Sequence, residues 1–197
     1  MLEALPKELE IPNVRAKLNQ EEAVFRAKIL AALLANKYEN KESDLPMLRQ
    51  LAAKNVFSLK GDALLYAYPL ANFKTNKIVS CNERRFHAMC ALDAIGCFYL
   101  LKQEIRIFSQ CENSSTNLEF LVNEQGVKSL NEVKESEIRL FYPDLNRCEI
   151  WGDKCCKLMH FFKSQKDINE FFADKNTCNC YSLDLDTAYE VAGKLFA

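Results

Sequence analysis

Cys90 and Asp93 stand three residues apart in the stretch Arg85-Phe86-His87-Ala88-Met89-Cys90-Ala91-Leu92-Asp93-Ala94-Ile95-Gly96. Their spacing puts a thiol and a carboxylate on one face of a helix, close enough to exchange a proton. Phe86, Met89, Leu92, Ile95 and Phe98 are apolar neighbours that should keep that face dry. A carboxylate in dry surroundings is costly to ionise, and such groups are often retained for proton transfer. The plainer alternative is that Cys90 is a core cysteine and Asp93 a capping or hydrogen-bonding residue, since free cysteine is among the most buried residue types. The pair alone leaves both open.

Further thiols are plentiful. The chain has nine cysteines, at positions 81, 90, 97, 111, 148, 155, 156, 178 and 180. An odd number with no Cys-x-x-Cys pair argues against a zinc ribbon and against a disulfide framework. Met1-Leu2-Glu3-Ala4-Leu5-Pro6-Lys7-Glu8 has acidic residues and a proline where a signal peptide needs basic and apolar ones. No apolar run reaches the roughly 18 residues of a membrane helix. The expected location is therefore cytoplasmic, without membrane attachment. A formal net charge of −1 gives no basic field for nucleic acid.

The 197 residues, 49% hydrophobic and 27% charged, suffice for one large or two small globular units. Helical periodicity over residues 21–37, through Phe25, Ile29 and Leu33, predicts an amphipathic helix. Asp44-Leu45-Pro46 opens a second, shorter one. Strand-like runs at 56–59 and 63–68 flank a turn at Lys60-Gly61-Asp62, so residues 1–80 look like a degenerate winged-helix module. A helix is expected over 83–101 and strands at 104–108, 118–122, 137–141 and 158–162. Terminal helices follow at 166–172 and 187–196. The class is α+β: a helical N-terminal part, then residues 81–197 as a mostly antiparallel sheet with one core helix.

A second thiol comes from Cys155-Cys156, just before the strand that ends His160-Phe161-Phe162. Alternation lets only one of the doublet face Cys90, with Cys156, Leu158 and His160 on one side. Lys154 and Lys157 flank the pair and put positive charge near it. His87, three residues before Cys90, is a candidate base, although a lone helix histidine is more often a hydrogen-bonded or solvent-edge residue. Cys178-Asn179-Cys180 is a candidate soft-metal chelate.

Taken in order, RRFHAMCALDA (84–94), FSQC (108–111) and CKLMHFF (156–162) resemble the organomercurial (alkylmercury) lyases. The likeness extends from about Leu64 to the C-terminus. It implies protonolysis of a carbon–mercury bond, R–Hg–X giving R–H and Hg(II). Two cysteines and an aspartate carry that reaction in the family, and the matching positions are Cys90, Asp93 and Cys156. Cys156 fits the family's Cys-x-x-x-His-Phe-Phe pattern without a gap; Cys155 is the second choice. Cys111 matches a cysteine that is structural in the family. The resemblance further implies no required cofactor, with Hg(II) held only transiently as product by Cys90, Cys156 and Asp93. A small organomercurial is the implied substrate, and cellular thiols or a mercuric reductase are the implied acceptors. The alternative on the same fold is a non-catalytic cytosolic carrier of soft metals (Hg, Cu or Zn).

Overall fold

The computed structural model describes residues 2–175, 177 and 179–197. Two helices begin the chain, α1 (Gln20–Leu34) and α2 (Leu45–Ala53). Asn19 and Glu22 start α1 with a reciprocal capping box, which satisfies two of its free amides. A proline in the first turn opens α2, where its missing N–H costs nothing. Three strands follow, β1 (Phe57–Lys60), β2 (Ala63–Ala67) and β3 (Leu70–Ala71). Gly61, at φ +60, makes the β1–β2 turn.

The next segment departs from expectation. The predicted helix over 83–101 is a strand followed by a shorter helix. β4 (Ile78–Cys81) pairs with β5 (Arg84–Ala88), and α3 spans Ala91–Leu101. Between the strands Asn82 and Glu83 both have positive φ, 46° and 64°. Two such residues form the tight hairpin turn whose twist matches antiparallel strands. Hairpin pairing of Arg84–Ala88 thus prevails over its helix-compatible apolar spacing.

The remaining strands are β6 (Ile105–Gln110), β7 (Asn117–Asn123), β8 (Gly126–Ser129), β9 (Arg139–Pro143), β10 (Phe161–Phe162) and β11 (Cys180–Leu183). Helices α4 (Gln165–Phe171) and α5 (Leu185–Phe196) complete the chain. An eight-stranded sheet runs β1-β2-β3-β5-β4-β6-β7-β8, and a three-stranded sheet runs β10-β9-β11; all their pairings are antiparallel. The architecture is α+β. The expected strand over 158–162 shrinks to two residues, because Leu158 and Met159 are taken up by backbone turns onto Cys155 and Cys156.

Helix α3 is the core helix: all its residues from Ala91 to Phe98 are buried. It packs against α5 so closely that a β-carbon on Gly96 would sit 2.2 Å from the Phe196 ring. No helix among the described residues is long and apolar enough to cross a membrane.

Candidate active site

Cys90 caps α3 instead of lying within it. Its backbone is extended (φ −136, ψ 179), and its sulfur accepts from the Asp93 amide at 3.3 Å. The Cys90–Asp93 approach is therefore that of a helix cap and its third residue, the place usually held by Ser/Thr and Glu. The Ala91 amide donates to the Met159 carbonyl at 2.9 Å, tying the start of α3 to the segment that carries Cys156.

Cys156 sits at the end of a wide helical turn, Trp151–Cys155, in αR conformation. It is not on a strand, so the alternation argument for choosing between Cys155 and Cys156 does not apply. In this structure Cys155 is bonded to Cys148, whereas Cys156 keeps a free thiol. This bond also departs from the expected absence of disulfides. A compact turn between the two residues, seven apart in sequence, brings their α-carbons to 6.8 Å.

One ligand atom each of Cys90, Asp93 and Cys156 lies within 4.8 Å of the others. All three residues are sealed, with exposures of 1%, 2% and 3%. Burial pushes the Asp93 carboxyl well above its ordinary value, and the Cys90 sulfur adds to the shift. Burial likewise pushes the Cys90 thiol up, reinforced by Cys156. One Asp93 oxygen, Oδ2, is buried without a hydrogen-bond partner. At rest burial thus holds Asp93 as an acid and Cys90 as a thiol, side by side in the packed interior.

Residues beyond the motif complete the surroundings. Tyr68 shares a 3.2 Å hydrogen bond between its hydroxyl and the Cys156 sulfur. Its own ionisation is pushed well upward by burial and by that sulfur. Tyr66 and Trp151 meet the Tyr68 ring edge-on, at 5.0 and 6.0 Å between centroids. Alternation in Leu64–Tyr68 places both tyrosines on one face of the β2 run, the only advance sign of their convergence.

Lys77 is buried, with Nζ 2.9 Å from His160 Nδ1 and 3.9 Å from Glu112. Burial, with Lys77 as the next cause, lowers His160 to about 4. His160 thus belongs to this cluster and not to the thiol–carboxyl group. His87 is likewise elsewhere, its Nδ1 accepting from the Thr75 amide at 3.0 Å. Lys154 and Lys157 turn outward to Glu149 and Asp153. Cys111 is buried and donates to Asp167. The candidate Cys178/Cys180 chelate falls outside the described residues, because Cys178 is not among them.

Residues 70–197 match the alkylmercury lyase family, MerB. This chain belongs to that family. Its fold is similar to the crystal structure of the mercury-bound form of MerB2, with a TM-score of 0.69 and 17% identity over 92% of each chain. No curated protein matches. The family match takes in all three clustered residues, whereas α1, α2, β1 and β2 precede it.

Proposed function

We propose that this alkylmercury lyase family member cleaves carbon–mercury bonds by protonolysis, with Cys90, Asp93 and Cys156 as its reacting groups. The observation that carries this is the sealed meeting of two thiols and a carboxyl held in its acid form. Thiolates are the preferred ligands of a soft metal, so sulfur is the right donor for mercury. The substrate R–Hg–SR′ exchanges its thiolate for Cys90, and the departing R′S⁻ takes the Cys90 proton. Cys156 then adds to mercury with its proton still on sulfur, and a second sulfur ligand weakens the Hg–C bond. Asp93 gives its proton to the leaving carbon as R–H forms, and the Cys156 proton reloads the carboxyl. Two cysteine thiols and R–Hg–SR′ thus become R–H, R′SH and Hg(II) bridging Cys90 and Cys156.

The upward shift of Asp93 favours this order, because an acid loaded at rest can donate at once. Dry walls let mercury's charge offset the ionising sulfurs and keep water from the intermediate. No cofactor enters the scheme. The N-terminal helices and β1–β3 are in this reading an extension of the catalytic sheet, and cellular thiols or a mercuric reductase take up the Hg(II).

The test is incubation of reduced protein with phenylmercury and excess monothiol, following benzene. Benzene should form catalytically, disappear in Cys90→Ser and Cys156→Ser, and fall at least about 100-fold in Asp93→Ala, as for loss of a positioned acid. Cys155→Ser should retain turnover. Tight Hg(II) binding with no benzene would overturn the lyase reading in favour of a carrier.

A further inference from the structure

Next to the proposed reaction centre stands a sulfur pair for which protonolysis has no use. Cys155 directly precedes Cys156, and its sulfur is joined to Cys148. Cys155 is fully buried, whereas Cys148 is half-buried. The pair thus joins the residue adjoining Cys156 in the chain to a half-buried cysteine within reach of solvent. The α-carbons of the pair are 6.8 Å apart, at the wide limit for a disulfide. A wide pair is suited to holding one atom between its sulfurs once the bond is reduced.

We propose that reduced Cys148 and Cys155 form a second, two-thiol Hg(II) site that receives the product from Cys90 and Cys156 and presents it to acceptor thiols. This rests on the lyase reading of the adjacent centre. Two low-molecular-weight monothiols open the site: the Cys148–Cys155 disulfide becomes two thiols, and the monothiols become their own disulfide. Transfer is then ligand exchange without redox change. Mercury leaves the Cys90 and Cys156 sulfurs for Cys155 and Cys148; the two protons released from the receiving thiols return to the two donors. Each sulfur exchange keeps the metal bound to thiolate, as a soft cation requires. While the disulfide is closed, the second site does not exist and the product stays in the sealed centre.

Physically, the relay answers a problem set by burial. Hg(II) held by two thiolates at 1% and 3% exposure is hard for an outside thiol to attack. A half-buried Cys148 gives that attacker a sulfur it can reach.

The test uses full-length protein treated with millimolar glutathione and desalted, then loaded with mercuric chloride. Iodoacetamide labelling in denaturant, where thiols without metal are all reachable, followed by peptide mass mapping, reports which cysteines the metal holds. One equivalent should protect Cys90 and Cys156, and a second should protect Cys148 and Cys155. In single turnover with phenylmercury, Cys148→Ser should still release benzene. Its Hg(II) should pass to an external dithiol about tenfold more slowly, because the chelating pair is gone. Cys148→Ala provides a second variant with the same expected delay. The proposal is overturned if glutathione leaves the disulfide closed, if the pair stays labelled at two equivalents, or if both variants release Hg(II) at the wild-type rate. Loss of benzene in the wild type is a separate result that overturns the lyase reading instead.

Discussion

Asp93 is stored as an acid at a cost to the fold. Its folded-state value lies above the ordinary carboxylate value, so the folded chain keeps a proton that the unfolded chain releases. Stability from this group is complete below the unfolded value of about 3.9 and is lost as pH rises toward the folded value. Asp93→Asn has no such loss. Its urea midpoint should gain steadily on wild type between pH 5 and pH 8 while activity falls; equal offsets at both pH values would contradict the shift. Tyr68 acts on the other thiol. A hydrogen bond to a charged group contributes about 1.5–3 kcal/mol, so Tyr68→Phe should lower kcat for benzene release roughly tenfold or more. KM should change little if the bond strengthens only as Cys156 becomes thiolate, and steady-state kinetics will separate the two constants. The Cys90–Asp93 proximity was legible from three-residue spacing, which caps and helix faces share. Tyr68 was not, because its contact with Cys156 joins positions 88 apart in the chain.

Elements position these groups by local rules that were only partly readable. The amphipathic runs of α1 and α5 and the alternation of β6 and β7 announce themselves, since each buries one face. The β4–β5 hairpin does not: its turn residues, Asn82 and Glu83, lack glycine, and Phe86, Met89 and Leu92 mimic a helical stripe. Near Cys156 the decisive feature is a backbone turn with no simple periodicity. Gly152 in this turn lies against Tyr66, and a β-carbon there would fall 1.0 Å from the Tyr66 hydroxyl. Gly152→Ala should therefore push Tyr66 or the turn aside. Overpacking of this kind costs about 1–3 kcal/mol, and here it also disturbs the Tyr66–Tyr68 contact beside Cys156. Denaturant unfolding should show that loss, accompanied by slower benzene release. Gly61→Ala, in an open turn remote from the centre, should lose stability through its positive φ but keep its rate.

At the scale of the whole molecule, the helical N-terminal part bears on the centre through several side chains: Asn55 accepts from the Trp151 amide at 3.0 Å, Lys17 lies over the Trp151 ring, and one residue of α1 bonds the backbone of Tyr68 itself. Arg26 of α1 is buried, and its Nη2 donates to the Tyr68 carbonyl at 2.8 Å. Burial lowers its pKa to about 10, and its Nε has no hydrogen-bond partner. Such a group is expensive to keep unless its one good bond has a use. Tyr68 is that use, because the same residue bonds the Cys156 sulfur 88 positions away. Arg26→Leu leaves the carbonyl unsatisfied, at about 1–3 kcal/mol, while removing a buried charge, so its net effect on stability should be modest. The effect on catalysis should be larger and should run through Tyr68. A double-mutant cycle makes this measurable. If Arg26 acts by holding Tyr68 in place, Arg26→Leu/Tyr68→Phe should release benzene no more slowly than Tyr68→Phe alone. Multiplying rate losses would show instead that α1 influences the thiols by another route, and would detach the N-terminal helices from the work of the site.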